Sequence, residues 1–104
     1  MTLAGFILVP VAQMATDSSL DTVSTFARPT GDCDVLAVMA RGKAINYTVT
    51  TAAAANNPSA SFGIRIPVNG SDLIHVADGW QVRIIQEDAT ATVDYQWFKL
   101  VKAV

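Results

Sequence analysis

Hydrophobic residues that recur at every second position constrain this chain more than any other feature. Ile45, Tyr47 and Val49 alternate with Asn46, Thr48 and Thr50, and Ile64, Ile66 and Val68 repeat the pattern around Arg65. Val93, Tyr95 and Trp97 interleave with Asp94 and Gln96, while Trp80, Val82 and Ile84 share a side opposite Gln81 and Arg83. A period of two is the pleat of a half-buried β-strand. No segment sustains the 3.6-residue period of an amphipathic helix.

Turn residues separate these runs at intervals of roughly ten residues, the rhythm of a sandwich or barrel. They are Pro29-Thr30-Gly31, Arg41-Gly42, Asn69-Gly70, Asp78-Gly79 and Glu87-Asp88. Asn-Gly and Asp-Gly accept positive φ at both centres of a type I′ turn, so they predict tight antiparallel hairpins. Strands are expected near 4–12, 20–27, 33–40, 43–50, 61–68, 71–77, 79–87 and 90–101. The segment from Thr51 to Ala60 is the longest loop, with four alanines before Asn56-Asn57-Pro58-Ser59 and room for one helical turn. The expectation is an all-β, antiparallel β-sandwich, jelly-roll or Ig-like, of about eight short strands. It forms one domain over 1–104, with 1–15 as an N-terminal arm or edge strand.

Composition narrows the function. At 51% hydrophobic and 15% charged residues the chain is not of the disordered class. A net charge of −2, with Lys and Arg scattered, offers no basic footprint, so no nucleic acid is expected as a direct partner. So few charges on a small body leave much uncharged surface, as on subunits that pack against neighbours. The apolar run from Leu3 to Ala12 has no Lys or Arg before it, which argues against a signal peptide and for a strand. It is also short of the about 20 residues that span a bilayer, so no membrane partner is expected.

Few residues offer chemistry. Cys33 is the only cysteine, so no intrachain disulfide forms, and Asp32 and Asp34 beside it would raise its thiol pKa, the wrong direction for a nucleophile. His75 is the only histidine and has no second metal-binding side chain in pattern, so it reads as a solvent-facing or interface strand residue. Asp17 and Asp21, or Asp32 and Asp34, lack the dense oxygen-rich loop that calcium needs. Phosphate-binding glycine loops, nucleophile elbows and zinc motifs are missing from the sequence, so neither a cofactor nor an enzymatic activity is expected. Trp80, Tyr95 and Trp97 read as core residues; exposed together, they would form a carbohydrate-stacking platform and a host-recognition module. Asn46-Tyr47-Thr48 and Asn69-Gly70-Ser71 match the glycosylation triplet, which matters only in a secreted eukaryotic protein.

The stretch from Val35 to Lys99 carries a resemblance. Val35-Leu36-Ala37-Val38, Ile45-Asn46-Tyr47-Thr48-Val49, a Thr/Ala/Asn-rich loop, Pro58-Ser59-Ala60-Ser61-Phe62-Gly63-Ile64, Gly79, Val82-Arg83-Ile84-Ile85-Gln86-Glu87 and Ala91-Thr92-Val93-Asp94-Tyr95-Gln96-Trp97 follow one another. This succession resembles small virion proteins of tailed bacteriophages, the head-decoration or cement-like β-sandwich subunits. The chain departs from them in the loop, where alanines replace an Asp-Gly-Thr run. The resemblance implies a non-enzymatic virion structural protein at the capsid surface, made in the host cytoplasm. Its implied partners are the major capsid protein at capsomer junctions and copies of itself as a homotrimer; a tail or neck position is the alternative within virions. Such a subunit needs arms or sheet edges that join a neighbour. The candidate contact residues are Phe6, Ile7, Leu8 and Val9 near the N-terminus, Phe98, Leu100 and Val101 near the C-terminus, and His75.

Overall fold

The computed structural model describes residues 2–3, 5–29, 34–53 and 56–102. Asp32, Cys33, Thr30 and Gly31 lie outside the described residues, as do Ala54 and Ala55. Ten strands form among the described residues: β1 (Thr2–Leu3), β2 (Phe6–Pro10), β3 (Ala15–Asp17), β4 (Ser24–Ala27), β5 (Val35–Arg41), β6 (Ile45–Thr51), β7 (Ile64–Ile66), β8 (Ser71–His75), β9 (Trp80–Gln86) and β10 (Thr92–Lys102). Each of the eight expected runs holds one of them, and β1 and β3 are short additions. The described part of the Thr51–Ala60 loop contains no helical turn.

The strands make two antiparallel sheets. The front sheet runs β1-β2-β10-β5-β8, with β3 beside the first half of β10; the back sheet runs β4-β9-β6-β7. β3 pairs β10, β4 pairs β9, β5 pairs β8 and β6 pairs β7, a nested order in which early strands meet late ones. The roll is closed by β10 on β5 and β9 on β6. This is the connectivity of a jelly roll, a long antiparallel ribbon folded over itself, and not that of an Ig domain.

Alternation decides what is buried. Leu36, Val38, Val93 and Trp97 of the front sheet meet Ile45, Tyr47, Val82 and Ile84 of the back sheet in one core. Tyr95 joins them edge-on to Phe26, with ring centroids 4.7 Å apart and planes at 71°. Trp80 departs from the core expectation: it shares the inward side of Val82, but as the first residue of β9 it is 43% exposed. Ile64 and Val68 are exposed for a similar reason, since β7 is a three-residue strand at the edge of its sheet and only Ile66 reaches under the roll.

The turn signals within the described residues fall where expected, but type I′ hairpins do not form at Asn69-Gly70 or Asp78-Gly79. At Asn69-Gly70 only Asn69 has positive φ, and at Asp78-Gly79 only Gly79 does. The Gly70 N–H donates to the Pro67 carbonyl at 2.8 Å and the Trp80 N–H to the Ala77 carbonyl at 3.0 Å, so each turn has its left-handed residue third. The reason is topological: β7–β8 and β8–β9 cross between sheets, and the I′ twist suits neighbours within one. The β5–β6 crossing requires its glycine. Gly42 has φ +79°, and a Cβ there would sit 2.8 Å from the Thr90 carbonyl oxygen.

Polar side chains lock the layers together. The Tyr47 hydroxyl on β6 donates to Asp72 Oδ2 on β8 at 2.6 Å, joining back sheet to front. Burial, and then the Asp72 carboxylate beside it, pushes the Tyr47 pKa above the usual phenol value, so the hydroxyl keeps its proton as donor. Arg28 donates to the Val76 carbonyl at 3.1 Å and pairs with Asp34 at 3.3 Å. Asp34 Oδ2 in turn accepts the Leu100 N–H at 3.0 Å.

Candidate functional site

Three surfaces are distinguished by what covers them. The first is the outer face of the back sheet. Asn46, Thr48 and Thr50 point outward there, in register with Ile85, Arg83 and Gln81, yet Asn46, Thr48, Thr50 and Gln81 are buried. The loop after β6 lies across them. Asn46 Nδ2 donates to the Ser59 and Ala60 carbonyls at 3.0 and 3.1 Å, Thr48 Oγ1 to the Asn56 carbonyl, and the Asn56 N–H to Thr50 Oγ1 at 3.0 Å. Arg83 reaches Asn57 Oδ1. Asn46, at 4% exposure, is therefore a structural anchor and not a glycan acceptor.

The second surface is the three-stranded tongue of the front sheet. Among the described residues β5 pairs β10 as far as Phe98, and residues 99–102 of β10 run on beside β2 and, beyond it, β1. Register puts Ile7 with Val101 on one side of this ribbon, and Phe6 with Lys102 and Leu8 with Leu100 on the other. Phe6, Ile7 and Val101 are exposed, and Val9 and Leu100 are half-buried. Leu8 and Phe98 behave differently. They are 4% and 7% exposed and form a small second core with Val35, against which Ala37 and Leu100 pack. Both are thus occupied within their own chain and are withdrawn as contact residues.

The third surface is the open β8 side. Here β8 ends the front sheet and β7 ends the back sheet, joined by the short segment 67–70. Phe62, Ile64, Val68 and Leu73 are exposed on this side. Alternation places Ser71, Leu73 and His75 on the outer face of β8, in register with Met39, Ala37 and Val35 of β5. A cleft of about 540 Å³ follows, lined by Met14, Ala37, Met39 and Leu73 and rimmed by Arg41 with Asp94. Arg41 and Thr16 both bond the Asp94 carboxylate. The Thr16 hydroxyl first, and then the Arg41 guanidinium, hold its pKa below the ordinary carboxylate value.

Comparison with family models, with curated proteins and with solved structures returns no match. The geometry of the chain must therefore speak for itself. Among the described residues no group of three or more His, Cys, Asp and Glu side chains is placed to hold a metal, and no helix is long and apolar enough to cross a membrane. The aromatic platform does not assemble: Trp97 is 7% exposed, Tyr95 packs on Phe26, and Trp80 alone of the three is exposed. His75 is exposed beside Leu73 on β8, remote in sequence from the tongue. Sequence reasoning passed over Leu73, Met39 and Met14. The alternation that sets His75 opposite Ile74 also sets Leu73 there, so the signal for an apolar outer row was present in Ser71-Asp72-Leu73-Ile74-His75.

Proposed function

We propose that this chain is a structural subunit of a tailed-bacteriophage virion, a decoration or cement protein that binds the major capsid protein at capsomer junctions and stabilises the head. It works by contact and carries out no catalysis. The observation that supports this most is the tongue, where Phe6, Ile7 and Val101 stand exposed on a ribbon carried beyond the end of β5. Exposing Phe6, Ile7 and Val101 gains an isolated monomer nothing, whereas a subunit that must grip a neighbour needs an apolar projection. The Leu100 N–H held by Asp34, and the second core of Leu8, Val35 and Phe98, fix its base so that docking costs little ordering entropy. The resemblance of Val35 to Lys99 to phage virion subunits supports the same reading, as does the jelly roll by analogy, a fold used by capsid domains among others.

The test is co-sedimentation of the purified protein with expanded empty capsids of tailed phages. Wild-type protein is expected to bind and to raise capsid resistance to heat, and a Phe6→Ser/Val101→Ser variant to remain folded and lose binding. Failure of the wild type to bind at any excess removes the decoration reading. Assembly into six-fold or twelve-fold rings would favour the tail or neck instead.

A further inference from the structure

We propose that two copies of this chain join through their β8 strands, edge to edge and antiparallel about a two-fold axis at Leu73, so that two front sheets become one. The inference deepens the self-association within the virion reading, but it uses a surface separate from the tongue. It assigns a two-fold pair in place of the homotrimer that the family resemblance implies.

Backbone parity comes first. The Ala40 N–H donates to the Gly70 carbonyl at 2.9 Å and the Val76 N–H to the Asp34 carbonyl at 2.8 Å, one at each end of β8. Hydrogen bonding in an antiparallel pair alternates, so Gly70, Asp72, Ile74 and Val76 turn their backbone groups toward β5. Ser71, Leu73 and His75 turn theirs to the open edge. One local bond agrees: the Leu73 N–H reaches no strand and is held by Asp72 Oδ1 at 2.9 Å. Natural sheets blunt such an edge with Lys, Pro, a bulge, a covering loop or an inward-pointing charge, and of these β8 has the inward-pointing charge, Asp72, whose carboxylate Tyr47 holds toward the other sheet. Ser71-Asp72-Leu73-Ile74-His75 contains no Lys or Pro, and its outward side chains are exposed. The edge is also stiff, because Tyr47 pins Asp72 from the other sheet.

One register uses the whole strand. With Leu73 opposite Leu73 of the second copy, Ser71 faces His75 and Asp72 faces Ile74, so no like charges meet and the whole strand is used. Ser71 and His75 exchange the N–H and C=O groups that no described residue holds, in both halves, while the Leu73 amides are shared with Asp72. A register centred on Asp72 would set two carboxylates opposite each other. Across the two-fold, Phe62, Ile64 and Val68 of each copy flank the joined strands. They add apolar area that a five-residue strand pair lacks by itself.

The experiment is native mass spectrometry and sedimentation of the full chain, with variants of β8. Wild type is expected at twice its 11.0 kDa mass. Leu73→Lys, which opposes two cations at the axis, is expected to run as a monomer with an unchanged far-ultraviolet spectrum. On a Cys33→Ser background, Leu73→Cys is expected to crosslink copy to copy under mild oxidation, because hydrogen-bonded partners lie about 5.5 Å apart at Cα, within disulfide reach. Ser71→Cys alone is expected not to. A wild-type monomer at about 100 µM would overturn the proposal. So would a trimer, or a dimer in which Leu73→Cys stays uncrosslinked. Phe6→Ser/Val101→Ser should leave the pair intact, so loss of capsid binding and loss of pairing are read separately.

Discussion

The outer face of the back sheet around β6 and that of the front sheet around β8 are built from opposite materials and have opposite fates. On the back sheet the outward row is polar, Asn46, Thr48, Thr50 and Gln81, and it is buried under the chain's own loop. On the front sheet the outward row includes Ala37, Met39 and Leu73, and it lines an open cleft. Covering a sheet with a loop requires partners for the loop's carbonyl and amide groups, which polar side chains supply and apolar ones cannot. The exposed row is therefore suited to a cover that brings its own hydrogen bonding or apolar surface. The contrast explains why polarity alone is a poor guide to exposure in this molecule.

Breaking the covered face is expected to have the largest effect. Asn46→Ala removes both donors that hold the Ser59 and Ala60 carbonyls, in a residue that is almost fully buried. Stranding such groups costs about 1–3 kcal/mol. The variant should unfold at lower denaturant and be cut earlier by proteases within the loop after β6. A loop that stays as resistant as in the wild type would show that Thr48, Thr50 and Arg83 hold the cover without Asn46.

Much of this architecture was legible in the sequence, and the failures share a cause. Period-two runs located the strands, because Ile45, Tyr47, Val82, Ile84, Val93 and Trp97 face one core in the alternation they show. The layer of each strand was not legible. Asn69-Gly70 and Asp78-Gly79 mark turns by their tolerance of positive φ, but they cannot say whether the chain returns along its own sheet or crosses to the other. The covering loop was hidden likewise. Alternation sets Asn46, Thr48 and Thr50 on the face opposite Ile45, Tyr47 and Val49, but it does not reveal what lies over either face. The contact residues divided along the same line: Phe6, Ile7 and Val101 are exposed, whereas Leu8 and Phe98 are claimed by Val35, a neighbour fixed by β-sheet register.

Acid should sharpen the comparison from the front-sheet side. Asp94 at the cleft rim is held below the ordinary carboxylate pKa, first by the Thr16 hydroxyl and then by Arg41. A folded-state pKa below the unfolded one means that the carboxylate stabilises the fold in full above the ordinary range, near about pH 4. That contribution fades as pH falls through the lowered value. Wild-type melting temperature should drop more between pH 6 and pH 3 than that of Asp94→Asn, which has no charge to lose. Equal drops would mean that Thr16 and Arg41 tie β3 and β5 to β10 without help from the ionised form.

The smallest change in stability is expected on the open face itself, where it says the most. Met14 is 65% exposed and Leu73 36%, so neither supports the core to an extent that its loss would register. A Met14→Ser/Leu73→Ser double variant, measured by denaturant unfolding at low protein concentration, should stay within about 0.5 kcal/mol of wild type, as exposed sites do. Dilution matters, because pairing through β8 would add stability to the wild type that grows with the logarithm of its concentration. The gap between wild type and variant should widen as protein concentration rises. A large gap that persists on dilution would mean that the cleft is filled by the chain's own residues, and the contrast between the two faces would disappear. A gap that grows with concentration ties the apolar row to association between molecules, the property that separates the front sheet from the back.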